Sequence, residues 1–282
     1  MLGCHGVQAN LVVVPDSIVV PVDGYRASIR ADDPVFSRGD GIFETLLVRD
    51  GLVCLMGEHL RRLARSAALI GLDGPADSMW IAAVTEALEH WRGVGEAALR
   101  LVLGRDGVAF AMVSAVPSRL AKIRESGVSV MTLNRPTTPL VTAKSLSYAV
   151  NSSAVRYAQQ FGCDDVIFVD DDGAVLEGPR SAIVVAVADA ESNTVLLTPD
   201  SSEVLPSITQ RAVFDAAGAR GLCCRYDRLS VADLIAAQGV WLVSSLTLAA
   251  RVHTLDGVEL ADSALDPLVR ELIDTAMSVL GR

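Results

Sequence analysis

The sequence predicts an α/β (α+β) protein of two domains, and three observations carry that reading. Short β-branched runs bounded by Pro, Gly and Asp are interspersed with longer segments of helical period, so strands and helices are mixed along the chain. A chain of 282 residues, 51% hydrophobic and 21% charged, can bury two modest cores. Polarity rises from Val116-Pro117 to Gly127, which reads as a linker. The expected boundaries are 1–118 for an N-terminal domain, 119–127 for the linker and 128–282 for a larger C-terminal domain.

In the first domain, Asn10–Val14 and Ser17–Val22 are β-branched runs cut by Pro15 and Asp16, hence strands around a turn. Gly39 and Gly41 flank Asp40 and would let the backbone approach a partner closely, although Gly-Asp-Gly alone is usually a turn. Leu46–Val48 and Val53–Leu55 flank the hairpin turn Asp50-Gly51. From Glu58 to Leu69, the residues Leu60, Leu63, Ala67 and Leu69 recur near helical period, and Gly71 should stop the helix. Its arginines, taken alone, form a solvated face. Asp77–Trp91 is a second helix. Ala97–Leu103 and Val108–Val113 form a hairpin in which Arg100 interrupts an apolar strand. That arginine is either an edge residue with its head in water or a carboxylate binder.

In the second domain, Val128–Thr132 is a strand, and Lys144 enters an apolar, helix-like run before the strand Val166–Val169. The acidic turn Asp170–Gly173 reads as solvated, because its carboxylates share one tight tip. Leu176-Glu177-Gly178 ends a returning strand. Leu205–Phe214 opens a helix with Ser207 or Thr209 near its N-terminus, a place that suits either a simple cap or a bound phosphate. Val231–Ala237 is a short helix, and Gly239–Val243 a buried strand delivering Ser244–Ala249. Asp256-Gly257 turns the chain toward a closing helix, Leu265–Leu280.

Net charge is −10, which argues against nucleic acid and anionic membrane surfaces as partners, while leaving room for local arginine clusters. Cys4, Cys54, Cys163, Cys223 and Cys224 are odd in number and lack metal-like spacing, so reduced, mostly buried thiols and no metal are expected. No opening signal segment and no apolar run of roughly 18 residues is seen, and a cytoplasmic location is expected.

Of 24 basic residues only Lys122 and Lys144 are lysines, leaving 22 arginines. A chain that meets its need for surface charge with Arg gives each retained Lys a reason to be examined. Lysine alone of the two can be made neutral and nucleophilic, as Schiff-base chemistry requires. Lys122, beside Arg119 and Arg124, reads as solvated, and Lys144, among small residues, as the candidate.

Lys144-Ser-Leu-Ser-Tyr148, followed by Glu177-Gly178, resembles the cofactor core of the fold-type IV pyridoxal-phosphate enzymes, the class IV aminotransferase-like family. Arg38-Gly-Asp-Gly-Ile-Phe-Glu44 is similar to that family's Gly-Asp-Gly-x-Phe-Glu signature, and Glu58-His-Leu-x-Arg62-Leu to its phosphate-binding helix. Leu205-Pro-Ser-Ile-Thr-Gln210 is similar to its Leu-x-Gly-Ile-Thr-Arg loop, with Ser207 for Gly and Gln210 for Arg. Ser181-Ala182 stands where relatives commonly carry Ser-Asn.

The resemblance implies a small α/β N-terminal domain and a larger C-terminal domain around a barrel-like sheet, in a homodimer that binds pyridoxal 5'-phosphate. It implies Lys144 as the catalytic residue that holds the cofactor, Arg62, Ile208, Thr209 and Ser245 at the phosphate, Tyr148 at the ring oxygen and Glu177 at the ring nitrogen. Arg38, Arg100, Arg180 and Thr247 are the candidates for contact with a small amino substrate.

Family members include aminodeoxychorismate lyase and the D-amino acid and branched-chain aminotransferases. The lyase substrate carries two carboxylates and suits an arginine-rich pocket. This ranks a lyase of actinobacterial type first, an aminotransferase second and a non-catalytic cofactor-binding protein third.

Overall fold

The computed structural model describes residues 12–14, 16–135, 142–200 and 202–278. The chain divides into two compact units: the first is Met1–Val53, His59–Val116 and Lys144–Ser147, the second Cys54–Glu58, Pro117–Ala143 and Tyr148–Arg282.

The first stretch of chain runs β1 (Val12–Val14), β2 (Ser17–Pro21), α1 (Pro34–Arg38), β3 (Gly41–Arg49), β4 (Leu52–Val53), α2 (Met56–Leu69), α3 (Asp77–His90), β5 (Ala97–Gly104) and β6 (Val108–Ala115). The strands form one antiparallel sheet in the order β1-β2-β6-β5-β3-β4. Asp50 (φ 53°) and Gly51 (φ 76°) are both left-handed, the pairing that a tight hairpin between β3 and β4 requires. Ile42, Leu46, Leu99, Leu101 and Leu103 are fully buried or nearly so. Each such side chain contributes about 1.5–3 kcal/mol. α3 packs on β2 and β6. α2 buries His59, Leu60, Leu63, Ser66 and Ala67 along one face, and Gly71 (φ 62°) follows its end.

The second unit contains α4 (Arg119–Ser126), β7 (Val128–Asn134), α5 (Ala149–Gln160), β8 (Asp165–Val169), β9 (Ala182–Ala188), β10 (Thr194–Pro199), α6 (Ile208–Ala219), β11 (Cys223–Asp227), α7 (Val231–Ala236), β12 (Gly239–Ser244), β13 (Leu248–Leu255), β14 (Val258–Glu259) and α8 (Asp266–Ser278). Its eight-stranded sheet is ordered β11-β10-β9-β12-β13-β7-β8, with β14 on β13. β7 pairs parallel with both β8 and β13. Parallel neighbours need a crossover, and the one from β7 to β8 carries Lys144 and α5. β8 is buried on both faces: Ile167 and Val169 join a core with Val128, Val130 and Val252, while Val166 and Phe168 pack with Ala154 and Ala158 of α5.

Four local expectations need correction. The stretch read as a polar linker contains a helix, α4, with Leu120 buried, because a solvated helix face and a linker share the same composition. Lys144 is not in a helix. Its carbonyl accepts from Phe43 N (3.0 Å) and Leu146 N donates to Gly41 O (2.8 Å), so this backbone is spent on β3. The thiols are not mostly buried: among the described cysteines, Cys54 is buried, Cys163 and Cys224 are half-buried, and Cys223 is exposed on the edge strand β11. Leu176–Gly178 is extended beside β8, with Phe168 N donating to Glu177 O (2.8 Å), rather than part of a regular strand. Asn10, Leu11, Cys4 and Leu280 lie outside the described residues. Among the described residues, no helix is long and apolar enough to cross a membrane.

Candidate active site

In the first unit the Gly-Asp-Gly signature acts through contact. A Cβ on Gly39 would lie 2.9 Å from the Ser147 Cα, and one on Gly41 2.7 Å from the Leu103 carbonyl and 2.8 Å from Leu146 Cδ1. Side chains there would push the Lys144–Ser147 segment off β3, so the close approach expected of these glycines is to the lysine segment itself. An isolated bridge between Ile42 and Ser145 continues the contact. From α2, Ser66 Oγ accepts from Lys144 N (3.1 Å), so three hydrogen bonds fix the backbone at Lys144 and Leu146. The Phe43 ring meets two cations, with Lys144 Nζ 4.8 Å and the Arg100 guanidinium carbon 4.2 Å from its centroid. Arg100 thus spends its charge partly on an aromatic face.

Beside Phe43 in sequence, Glu44 is fully buried on β3. Arg62 donates to it through Nε and Nη2, both at 2.7 Å, and His59 Nδ1 lies 2.7 Å from the same carboxylate. Burial alone would raise the pKa of Glu44. The hydrogen bonds from Arg62 and His59 outweigh it and hold the carboxyl down at about 2. Burial pushes His59 below the ordinary imidazole range against the pull of Glu44, so the ring is neutral near pH 7 and donates from Nδ1. Arg62, the expected phosphate ligand, is therefore held at a fixed angle by a partner that the helix pattern did not reveal.

In the second unit, Tyr148 Oη and Asn151 Nδ2 both donate to the Pro179 carbonyl, each at 2.6 Å, pinning the segment after Glu177. Glu177 accepts from Arg135 Nη1 (2.9 Å) and from Leu205 N (3.3 Å to each oxygen). Ser207 caps α6 by accepting from Gln210 N (3.2 Å). The N–H groups of Ile208 and Thr209 lie in the first turn, where helix geometry provides no intrahelical acceptor. Thr209 Oγ1 lies 3.5 Å from Ser245 Oγ, so two of the residues expected at the phosphate are neighbours. Thr247 N donates to Ser244 Oγ (3.2 Å) in the same turn. A cavity of about 250 Å³ is bordered by Glu177, Leu205, Ser207 and Gln210. Gln210 Nε2 and Ser181 Oγ are buried with no partner among the described residues.

The other candidate arginines are less convergent. Arg38 is exposed in the last turn of α1, and Arg180 pairs with Asp165 (3.3 Å) beside Arg119. Sequence reasoning assigned no role to Glu44, His59, Ser66, Arg135 or Asn151. Glu44 and His59 stand inside stretches that had been singled out, so their polarity in apolar surroundings was a usable signal. Arg135 offered none.

The family model for amino-transferase class IV matches residues 41–255. A bifunctional aminodeoxychorismate lyase / D-amino acid transaminase of Mycobacterium tuberculosis is 46% identical over 88% of this chain and 93% of its own. A hypothetical aminotransferase from Mycobacterium tuberculosis, solved in a PLP-bound form, superposes with TM-score 0.86 at 44% identity, covering 93% of this chain and 99% of that one. A fold IV transaminase from Curtobacterium pusillum follows at TM-score 0.80 and 36% identity, covering 91% and 90%. The chain belongs to the class IV aminotransferases, fold-type IV enzymes that use pyridoxal phosphate.

The donor set fits that cofactor. In the first unit a primary amine suits its aldehyde and a guanidinium its phosphate; in the second, helix N–H groups and a hydroxyl suit its phosphate and a carboxylate its ring nitrogen.

Proposed function

We propose that this enzyme is a pyridoxal-phosphate-dependent aminodeoxychorismate lyase, converting 4-amino-4-deoxychorismate to 4-aminobenzoate and pyruvate. The observation that carries the reading is the 46% identity, over nearly the whole of both chains, to a protein named for that activity and for D-amino acid transamination. The same name favours D-amino acid transamination as the second reading.

When bound, pyridoxal phosphate supplies an electron-withdrawing ring that takes up the electron pair left as a proton leaves the amine-bearing carbon. Lys144 would hold the cofactor and move that proton at Nζ. With its backbone fixed on β3 and at Ser66, only the side chain has freedom to do so. Arg62, oriented by Glu44, would bind the phosphate with the N–H groups of Ile208 and Thr209 and the Ser245 hydroxyl. Glu177 would hold the proton on the ring nitrogen, and Tyr148 would hydrogen-bond the ring oxygen.

Arg38, Arg100, Arg180 and Thr247 would meet the carboxylates of the substrate. Arg180 is more than a third exposed while its partner Asp165 is largely buried, so a substrate carboxylate would share the guanidinium with Asp165 rather than displace it. We place the enzyme in the cytoplasm as a homodimer, which sedimentation of the purified protein would test.

The deciding experiment supplies the loaded enzyme with 4-amino-4-deoxychorismate and looks for 4-aminobenzoate and pyruvate, with Lys144→Ala as control. Product from the wild type alone supports the lyase. No product, together with conversion of D-alanine in the presence of 2-oxoglutarate, removes the lyase and leaves the transaminase.

A further inference from the structure

Arg135 follows β7 directly, and its backbone N–H donates to Val169 O (3.0 Å), so it is anchored beside the end of β8. Its side chain is only 8% exposed. One arm, Nη1, donates to Glu177 Oε1 at 2.9 Å. The other, Nη2, donates to the backbone carbonyl of Glu203. Glu177 in turn accepts from Leu205 N at 3.3 Å on both oxygens. The contacts close a ring from Arg135 to Glu177, to Leu205, back along the chain to Glu203 and again to Arg135. Three residues beyond Leu205, α6 begins at Ile208.

Each link has a physical consequence. A carboxylate in a partly dry site is drawn toward its neutral form, and a guanidinium in contact opposes this. Holding Glu177 and the Glu203 carbonyl together takes two donors pointing in different directions, which the arginine fork provides and a lysine ammonium does not. The Glu203 carboxylate is 3.4 Å away but half exposed, so the carbonyl is the firmer tie.

We infer that Arg135 is a positioning residue for the cofactor site. It keeps the Glu177 carboxylate ionised and in one orientation for the ring nitrogen, and through Glu203 it holds the segment that leads into the phosphate-binding end of α6. The inference rests on the cofactor reading above and adds a residue to it.

The test is release of pyridoxal phosphate from the loaded full-length protein, followed by its visible absorption on stepwise dilution, in wild type, Arg135→Gln, Arg135→Lys, Glu177→Gln and the double variant Arg135→Gln/Glu177→Gln. Arg135→Gln should weaken cofactor binding roughly 10- to 100-fold, the value of a hydrogen bond to a charged group. Arg135→Lys should fall between it and the wild type. In the Glu177→Gln background the same change should cost clearly less, at least roughly threefold less than in the wild-type background, since only the route through Glu203 remains.

Wild-type affinity in Arg135→Gln, or an equal loss in both backgrounds, would overturn the inference. If Arg135→Gln does not melt cooperatively, Arg135→Lys alone and with Glu177→Gln supplies the comparison. A wild-type protein without Lys144-dependent absorption would overturn the cofactor reading and this inference together.

Discussion

Two glutamates, one in each unit, are each clasped by an arginine, and the difference between the clasps separates scaffold from chemistry. Glu44 is fully buried, and its carboxylate takes both Nε and Nη2 of Arg62 and the His59 ring. Glu177 is 19% exposed, takes one arm of Arg135 and shares the Leu205 N–H at a longer 3.3 Å. A carboxylate surrounded on both oxygens can orient its arginine but has little capacity left for a ligand. One that borders a cavity is placed where a ligand can reach it. On the proposed reading, Glu44 would act through Arg62, and Glu177 directly.

The sharpest way to break the comparison is to remove each carboxylate in turn. Glu44→Ala leaves the Arg62 charge largely buried without its partner, and such losses cost about 3–5 kcal/mol. Glu177→Gln keeps the shape, and its amide oxygen can still accept from Arg135, so it should cost only about 1 kcal/mol. Cofactor affinity should fall in both. Urea unfolding of the two variants decides the matter: a stability loss for Glu177→Gln equal to that for Glu44→Ala would mean that both are scaffold.

Acid should sharpen the contrast further. The pKa of Glu44 is depressed from its ordinary 4.5 to about 2 in the folded protein. Its contribution is therefore complete above pH 4.5 and lost as pH falls toward 2. A shift of this size corresponds to about 3 kcal/mol. His59 is also depressed, below its ordinary 6.5, so the unfolded chain takes up a proton that the folded one refuses, and stability already begins to fall below pH 6.5. Unfolding measured from pH 8 to pH 3 should show both windows in the wild type and only the lower one in His59→Gln. An identical profile in the variant would refute a neutral buried His59.

How much of this could be read beforehand depended on whether a residue acts through its own segment or through a distant one. Lys144 could be singled out as a candidate because lysine is scarce; α2 was legible because Leu60, Leu63 and Ala67 repeat at helical spacing, and the β3–β4 turn because Asp-Gly favours left-handed backbone. The setting of Lys144 was not legible, because its hydrogen bonds come from Gly41, Phe43 and Ser66, far back in the chain. Arg62 was proposed by resemblance, but its orientation depends on Glu44, 18 residues away on a strand. Arg135 stands 42 residues from Glu177, and its role follows from sheet order, which no local pattern encodes.

The smallest expected effect concerns Ser66, the neutral counterpart of the charged clasps. It is 1% exposed on the inward face of α2, and its Oγ accepts from Lys144 N at 3.1 Å. Ser66→Ala removes one of the three hydrogen bonds that fix this backbone, while those from Phe43 N and Leu146 N remain. The freed N–H belongs to a half-buried residue that water can approach, so the loss should be about 1 kcal/mol in urea unfolding. With Lys144 still paired to β3, pyridoxal-phosphate affinity should stay within about twofold of wild type. A tenfold drop in affinity at that small stability cost would show that the Ser66 bond, rather than the pairing with β3, sets the lysine in place.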